Sequence, residues 1–120
     1  MGKVIEVSQT IEEKLVSLIK DKGSLSFVEY EDFLDRNNID RKGDTAMFSG
    51  KFDNVLYWCN LSDEAVNLLS GLVRKSIVEL KPTDIFIYYV DGKTLNFPIV
   101  KQARNYKSPH WVPSLIKLCD

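Results

Sequence analysis

The sequence predicts an α+β domain, with helices first and a small antiparallel β-meander after them. Three observations carry this prediction. Thr10-Ile11-Glu12-Glu13 and Ser26-Phe27-Val28-Glu29 are capping boxes, and each opens a stretch with apolar residues at helical spacing. Ser62-Asp63-Glu64 opens a third such stretch. Beyond Ser76 the apolar period shortens, and Asp91-Gly92 stands between apolar runs as a hairpin turn does. A chain of 120 residues, 44% hydrophobic and 28% charged, has the length of one domain and the composition of a packed core, not of a disordered segment.

The first helix spans 10–22. Ile11, Leu15, Leu18 and Ile19 share one face, and Gly23 supplies the left-handed residue that ends it. The second spans 27–36, with Phe27, Tyr30 and Leu34 on one face and Asn37-Asn38 at its end. In 40–53, "DRKGDTAMFSGKFD", Asp40 is placed to cap a short third helix through Phe48, although Gly43 and Gly50 weaken that reading. "NVLYWC", 54–59, is short, apolar and aromatic, as a strand or a buried connection would be. The helix 62–75 follows. Asp63 and Glu64 suit its positive end, Val66, Leu69, Leu72 and Val73 recur at helical spacing, and Arg74 and Lys75 suit its negative end. "SIVEL", "IFIYYV" and "KTLNFPIV" then read as three strands, joined by the "KPTD" and "DG" turns, with Pro98 at an edge or a strand end.

A capped helix with a basic end, then strand, turn and strand, as in "LSDEAVNLLSGLVRKSIVELKPTDIFIYYVDG", resembles the C-terminal half of winged helix-turn-helix domains, including small ones encoded by phages and mobile elements. The resemblance is of pattern and covers about 54–100, with 10–53 as the preceding helices and 101–120 as an extended C-terminal arm. It departs at Ser76, where many such domains place Gly. It implies a winged helix, with helices packed on a small β-hairpin, and a non-enzymatic role on double-stranded DNA in regulation or DNA maintenance. In such domains a helix faces the major groove and the hairpin reaches the backbone or minor groove. Two recognition elements fit: the 40–51 segment with Arg41, Lys42, Thr45 and Lys51, or the helix 62–75 with Asn67, Arg74 and Lys75. Asn and Arg are residue types that read adenine and guanine edges. Charge favours 40–51, because Asp63 and Glu64 repel phosphate. Each surface also has a plainer reading as a solvated polar face. The same fold used as a protein-interaction module is the alternative, and near-neutral charge favours it.

Net charge is −1, but it is unevenly spread. Residues 1–40 sum to −4, residues 41–91 to −1 and residues 92–120 to +4, the last from Lys93, Lys101, Arg104, Lys107 and Lys117 against Asp120 alone. An anionic partner at the C-terminal end fits this polarity; so does simple solubility. No apolar run approaches the roughly 20 residues of a membrane span. The N-terminal stretch lacks a signal peptide's apolar segment. Glu6 and Val7, near where the myristoylation pattern after Gly2 wants Ser or Thr, argue against a lipid anchor. Cys59 and Cys119 stand far apart with no CxxC spacing, which suits free thiols and a cytoplasmic location.

Chemistry finds little purchase. His110 is the only histidine, so a thiol dyad would have to use Cys59, expected in the core, or Cys119 at a frayed end. No zinc-ligand spacing occurs, and no cofactor is expected. Glu79-Leu80-Lys81 has the ExK spacing of metal-dependent nucleases, with Asp53 or Asp63 as the further carboxylate, but a match this short arises by chance and here runs into a Pro turn. "NFPIVKQARNYKSPHWVP", 96–113, is acid-free, and Pro109 and Pro113 forbid regular helix across His110-Trp111-Val112. It reads as an arm whose Tyr106 and Trp111 pack back on the fold while Lys101, Arg104 and Lys107 face outward to phosphates. Trp111 is also a candidate anchor for a homodimer.

Overall fold

A computed structural model of the chain describes residues 9–120; the readings on Gly2, Glu6 and Val7 lie outside the described residues. Both capping boxes form. Thr10 Oγ1 accepts from the Glu13 amide at the start of α1 (Ile11–Lys22), and Ser26 Oγ accepts from Glu29 at the start of α2 (Phe27–Arg36). In each, the glutamate reaches back to the cap amide at 3.0 Å. Asn38 takes the left-handed backbone expected after α2 (φ 58°).

The next segment corrects the sequence reading. Residues from Asp40 to Phe48 form no helix: β1 (Lys42–Phe48) pairs antiparallel with β2 (Val55–Leu61), through several register shifts. Asp40 caps nothing helical and instead accepts from the Lys42 amide, 3.2 Å. Gly43 permits the pairing, because a Cβ there would stand 2.6 Å from the Leu61 carbonyl oxygen. The helix-turn-helix reading of 40–51 therefore has no third helix in that segment. Ser62 then caps α3 (Asp63–Arg74), with Asp63 and Glu64 in its first turn, as the sequence predicts. Ser76, at the position where glycine is common in winged helices, is indeed left-handed (φ 59°).

Residues after α3 depart again. β3 (Val78–Pro82) forms, but "IFIYYV" is not its hairpin partner. It becomes α4 (Phe86–Asp91), which ends at Gly92 with φ 82°. A Gly that accepts positive φ serves a hairpin turn and a helix C-terminus equally well, so the Asp91-Gly92 signal is ambiguous. "KTLNFPIV" likewise forms no strand, only an isolated bridge from Ile99 to Trp111. The partner of β3 is β5 (Ser114–Leu118), antiparallel from Val78↔Leu118 to Pro82↔Ser114. β4 (His110–Trp111) runs parallel to β2 and completes a sheet of order β1-β2-β4. The arm expected over 101–120 is thus an extended loop followed by strands of both sheets. The described residues form an α+β fold of four helices and small sheets. Among the described residues, no helix is long and apolar enough to cross a membrane.

The core is aromatic. Trp58 packs on Phe27 (5.8 Å between centroids), Tyr88 (5.3 Å) and Trp111 (5.8 Å), and all four are buried. Their polar ends are satisfied. Trp58 Nε1 donates to Glu31 Oε2 (2.9 Å), Trp111 Nε1 to Tyr57 O (3.1 Å) and the Tyr88 hydroxyl to Ser114 O (2.6 Å). Trp111, the candidate dimer anchor, is fully enclosed in its own chain, so its ring offers no surface to a second copy. Cys59, expected in the core, is only half-buried, because the pleat of β2 turns Trp58 inward and Cys59 to the other face. Cys119 is not frayed: its amide donates to Ile77 O at 2.9 Å.

Candidate nucleic-acid interface

Two loops meet at one end of the molecule. The first is the β1–β2 turn, 49–54; the second is 101–109, between the Ile99 bridge and β4. Three hydrogen bonds join them: Asp53 N to Asn105 Oδ1 (2.9 Å), Asn54 Nδ2 to Tyr106 O (2.8 Å) and Tyr106 N to Asp53 O (3.0 Å). Asn54 reaches across because its backbone is left-handed (φ 58°), a conformation that Asn tolerates.

The second loop is braced from within. The Tyr106 hydroxyl donates to Gln102 O (3.0 Å) and accepts from the amides of Lys101 (3.3 Å) and Gln102 (3.2 Å). The backbone amides that donate to its oxygen, that of Gln102 foremost, hold its pKa below the ordinary tyrosine value. Its ring stacks on His110 at 3.9 Å and carries the Arg104 guanidinium 4.7 Å from its centroid. His110 Nδ1 lies 2.8 Å from Ser108 O, so that nitrogen carries the proton. Histidine here braces a loop and touches no thiol.

This end gathers four of the residues singled out in the sequence: Lys51, Lys101, Arg104 and Lys107. All are exposed, and none forms an ion pair among the described residues. Lys51 and Lys101 line one cavity, and Lys101 and Arg104 line the cleft beside it. The only carboxylate on the two loops is Asp53.

The other candidates are scattered. Arg41 (3.7 Å) and Lys93 (2.7 Å) are both drawn to the buried carboxylate of Glu31. Arg41 also pairs with Asp35 at 2.9 Å. Lys75 pairs with Glu12 at 3.0 Å, and the Thr45 hydroxyl donates to Asp63 at 2.6 Å. Lys42 lies on the edge strand β1, while Asn67 and Arg74 lie exposed on α3. Glu79 and Lys81 pair with each other at 3.3 Å on β3, and among the described residues no three ligating side chains group as a metal would need. Burial raises the Cys59 thiol above its ordinary pKa, which disfavours the thiolate.

The sequence does not single out Phe52, Asn54, Asn105 or Gln102. The asparagine contacts span 52 residues of chain, and no local pattern encodes them. Comparison with protein-family models, with characterised proteins and with solved structures finds no match to this chain.

Proposed function

We propose that this chain is a small non-enzymatic DNA-binding protein, a regulator or accessory factor of DNA maintenance, that grips phosphates with the joined loops 49–54 and 101–109. One observation carries the reading: four cations without an ion pair among the described residues ride on two loops hydrogen-bonded to each other, with a single carboxylate on those loops. Cations held on a braced surface lose little freedom on binding, and phosphate contacts supply most of the affinity of such proteins. The net charge of −1 then matters less than its distribution. The winged-helix likeness supports the proposal only through the capped helices α1, α2 and α3 and the strand β3 after them; its hairpin partner is replaced by α4. In this version the contacts come from loops, not from a hairpin wing.

The test is binding to mixed-sequence duplex DNA across a salt series. Affinity is expected to fall steeply with salt. Replacing Lys101, Arg104 and Lys107 together by Ala is expected to weaken binding and flatten the log–log slope by about 0.9 for each phosphate no longer neutralised. Absence of binding to both duplex and single-stranded DNA at low salt overturns the proposal.

A second reading, the protein-interaction module, is favoured by α4, where Phe86, Tyr89 and Val90 are 64%, 61% and 71% exposed. Under that reading, Phe86→Ser with Tyr89→Ser abolishes function while DNA affinity, if any, is unchanged.

A further inference from the structure

Phosphate contact alone leaves one feature of this end unexplained. Between the β1–β2 turn and the segment around Val100 lies a cavity of about 340 Å³. Phe52, Val55, Tyr57 and Val100 form its apolar wall, and the exposed Lys51 and Lys101 bound it. Gln102 lines it too, and its side-chain amide, exposed, has no hydrogen-bond partner among the described residues. The two loops and the segments beside them build this cavity, so a ligand held by Lys51 and Lys101 lies against its apolar wall.

Resting on the proposed DNA binding, we infer that the cavity receives an unstacked nucleobase, so that the preferred ligand is DNA with unpaired bases, not a continuous duplex. A nucleotide has the matching chemistry: a flat aromatic body for the Phe52 and Tyr57 rings, an edge of donors and acceptors for the Gln102 amide, and a phosphate for the lysines. A base inside an intact duplex is covered on both faces by its neighbours and cannot enter without being flipped out. Single strands meet no such barrier. The cleft beside the cavity, shared through Lys101 with Arg104, Tyr106 and His110, carries the backbone onward from the seated nucleotide.

The experiment compares three labelled ligands by fluorescence anisotropy at one low salt concentration: a short mixed-sequence single strand, its duplex, and the same single strand with abasic sites throughout. The intact strand is expected to bind more tightly than the abasic strand by roughly 5- to 150-fold, the range that one base–aromatic stack supplies, and more tightly than the duplex. Phe52→Ala is expected to remove most of that preference. The abasic strand makes the same comparison on the unaltered protein, so the test survives a variant that fails to fold. Equal affinity for all three ligands overturns this inference and leaves the phosphate grip standing. Absence of binding to any of them overturns the DNA-binding proposal and this inference together.

Discussion

At the scale of single residues, Glu31 organises more of this protein than any local motif announces. Its carboxylate, 8% exposed, accepts from the Trp58 indole at 2.9 Å and faces Lys93 and Arg41. Removing it leaves the buried Trp58 indole N–H without its acceptor. Glu31→Ala is therefore expected to cost about 2 kcal/mol, read by urea denaturation. Lys93→Ala removes a half-exposed partner and is expected to cost at most about 1 kcal/mol; equal losses would show that Glu31 is no hub. Trp111→Ala opens the aromatic core and is expected to cost roughly 3–5 kcal/mol. The buried phenols add a pH dependence. Burial raises the pKa of Tyr30 and Tyr88 above the ordinary 10.0. Both hydroxyls donate to carbonyls, Tyr30 to Ala65 O and Tyr88 to Ser114 O, each at 2.6 Å. A raised folded pKa means that this stability is complete below 10.0 and is lost as pH rises past it toward the folded value. Circular dichroism across an alkaline titration is expected to show unfolding there, and Tyr88 ionising at its ordinary value in a fully folded protein would refute the assignment.

At the scale of elements, glycines separate the folds that the sequence allows. Were 40–48 a helix, Gly43→Ala would stabilise it by about 1 kcal/mol. In β1 the added methyl collides with the Leu61 carbonyl, and the expected result is a loss of roughly 1–3 kcal/mol. The sign of the change in a melting experiment decides between the two. Gly92→Ala meets no neighbour but holds φ 82°, so about 1–2 kcal/mol of backbone strain is expected. Gly50→Ala is the control. Nothing lies within 4 Å of its added Cβ, and a change within about 0.5 kcal/mol is expected.

At the scale of the whole molecule, the basic residues of 92–120 do not act as one tail. Lys93 turns inward to Glu31, while Lys101, Arg104 and Lys107 share a loop clasped to the β1–β2 turn. The proposed surface thus uses a fraction of the basic residues that the sequence offers. Substituting Asn67, Arg74 and Lys75 on α3 by Ala is expected to leave DNA affinity within about twofold, whereas the Lys101/Arg104/Lys107 variant loses affinity and salt dependence while folding within about 0.5 kcal/mol of the parent for each exposed change. The reverse pattern in a titration would move the interface to α3.

By itself the sequence determined the three capped helices and their buried faces, a strand or buried connection at 54–59, a short strand near 76–80, the burial of Trp111 and the concentration of positive charge after residue 92. These rest on signals confined to a turn or two of chain: a cap, a period, a local composition. Tertiary structure decided the rest. A strand exists only with a partner, so β1 against a helix at 40–48 was settled by the apolar β2 and by the space that Gly43 leaves beside Leu61. β5, and not residues 85–90, pairs with β3, and the Tyr88 ring is anchored among Phe27, Trp58 and Trp111 by bonds its own segment cannot encode. Which cations stay free for a partner depends on where a buried carboxylate lies, a property of packing that no single stretch of sequence carries.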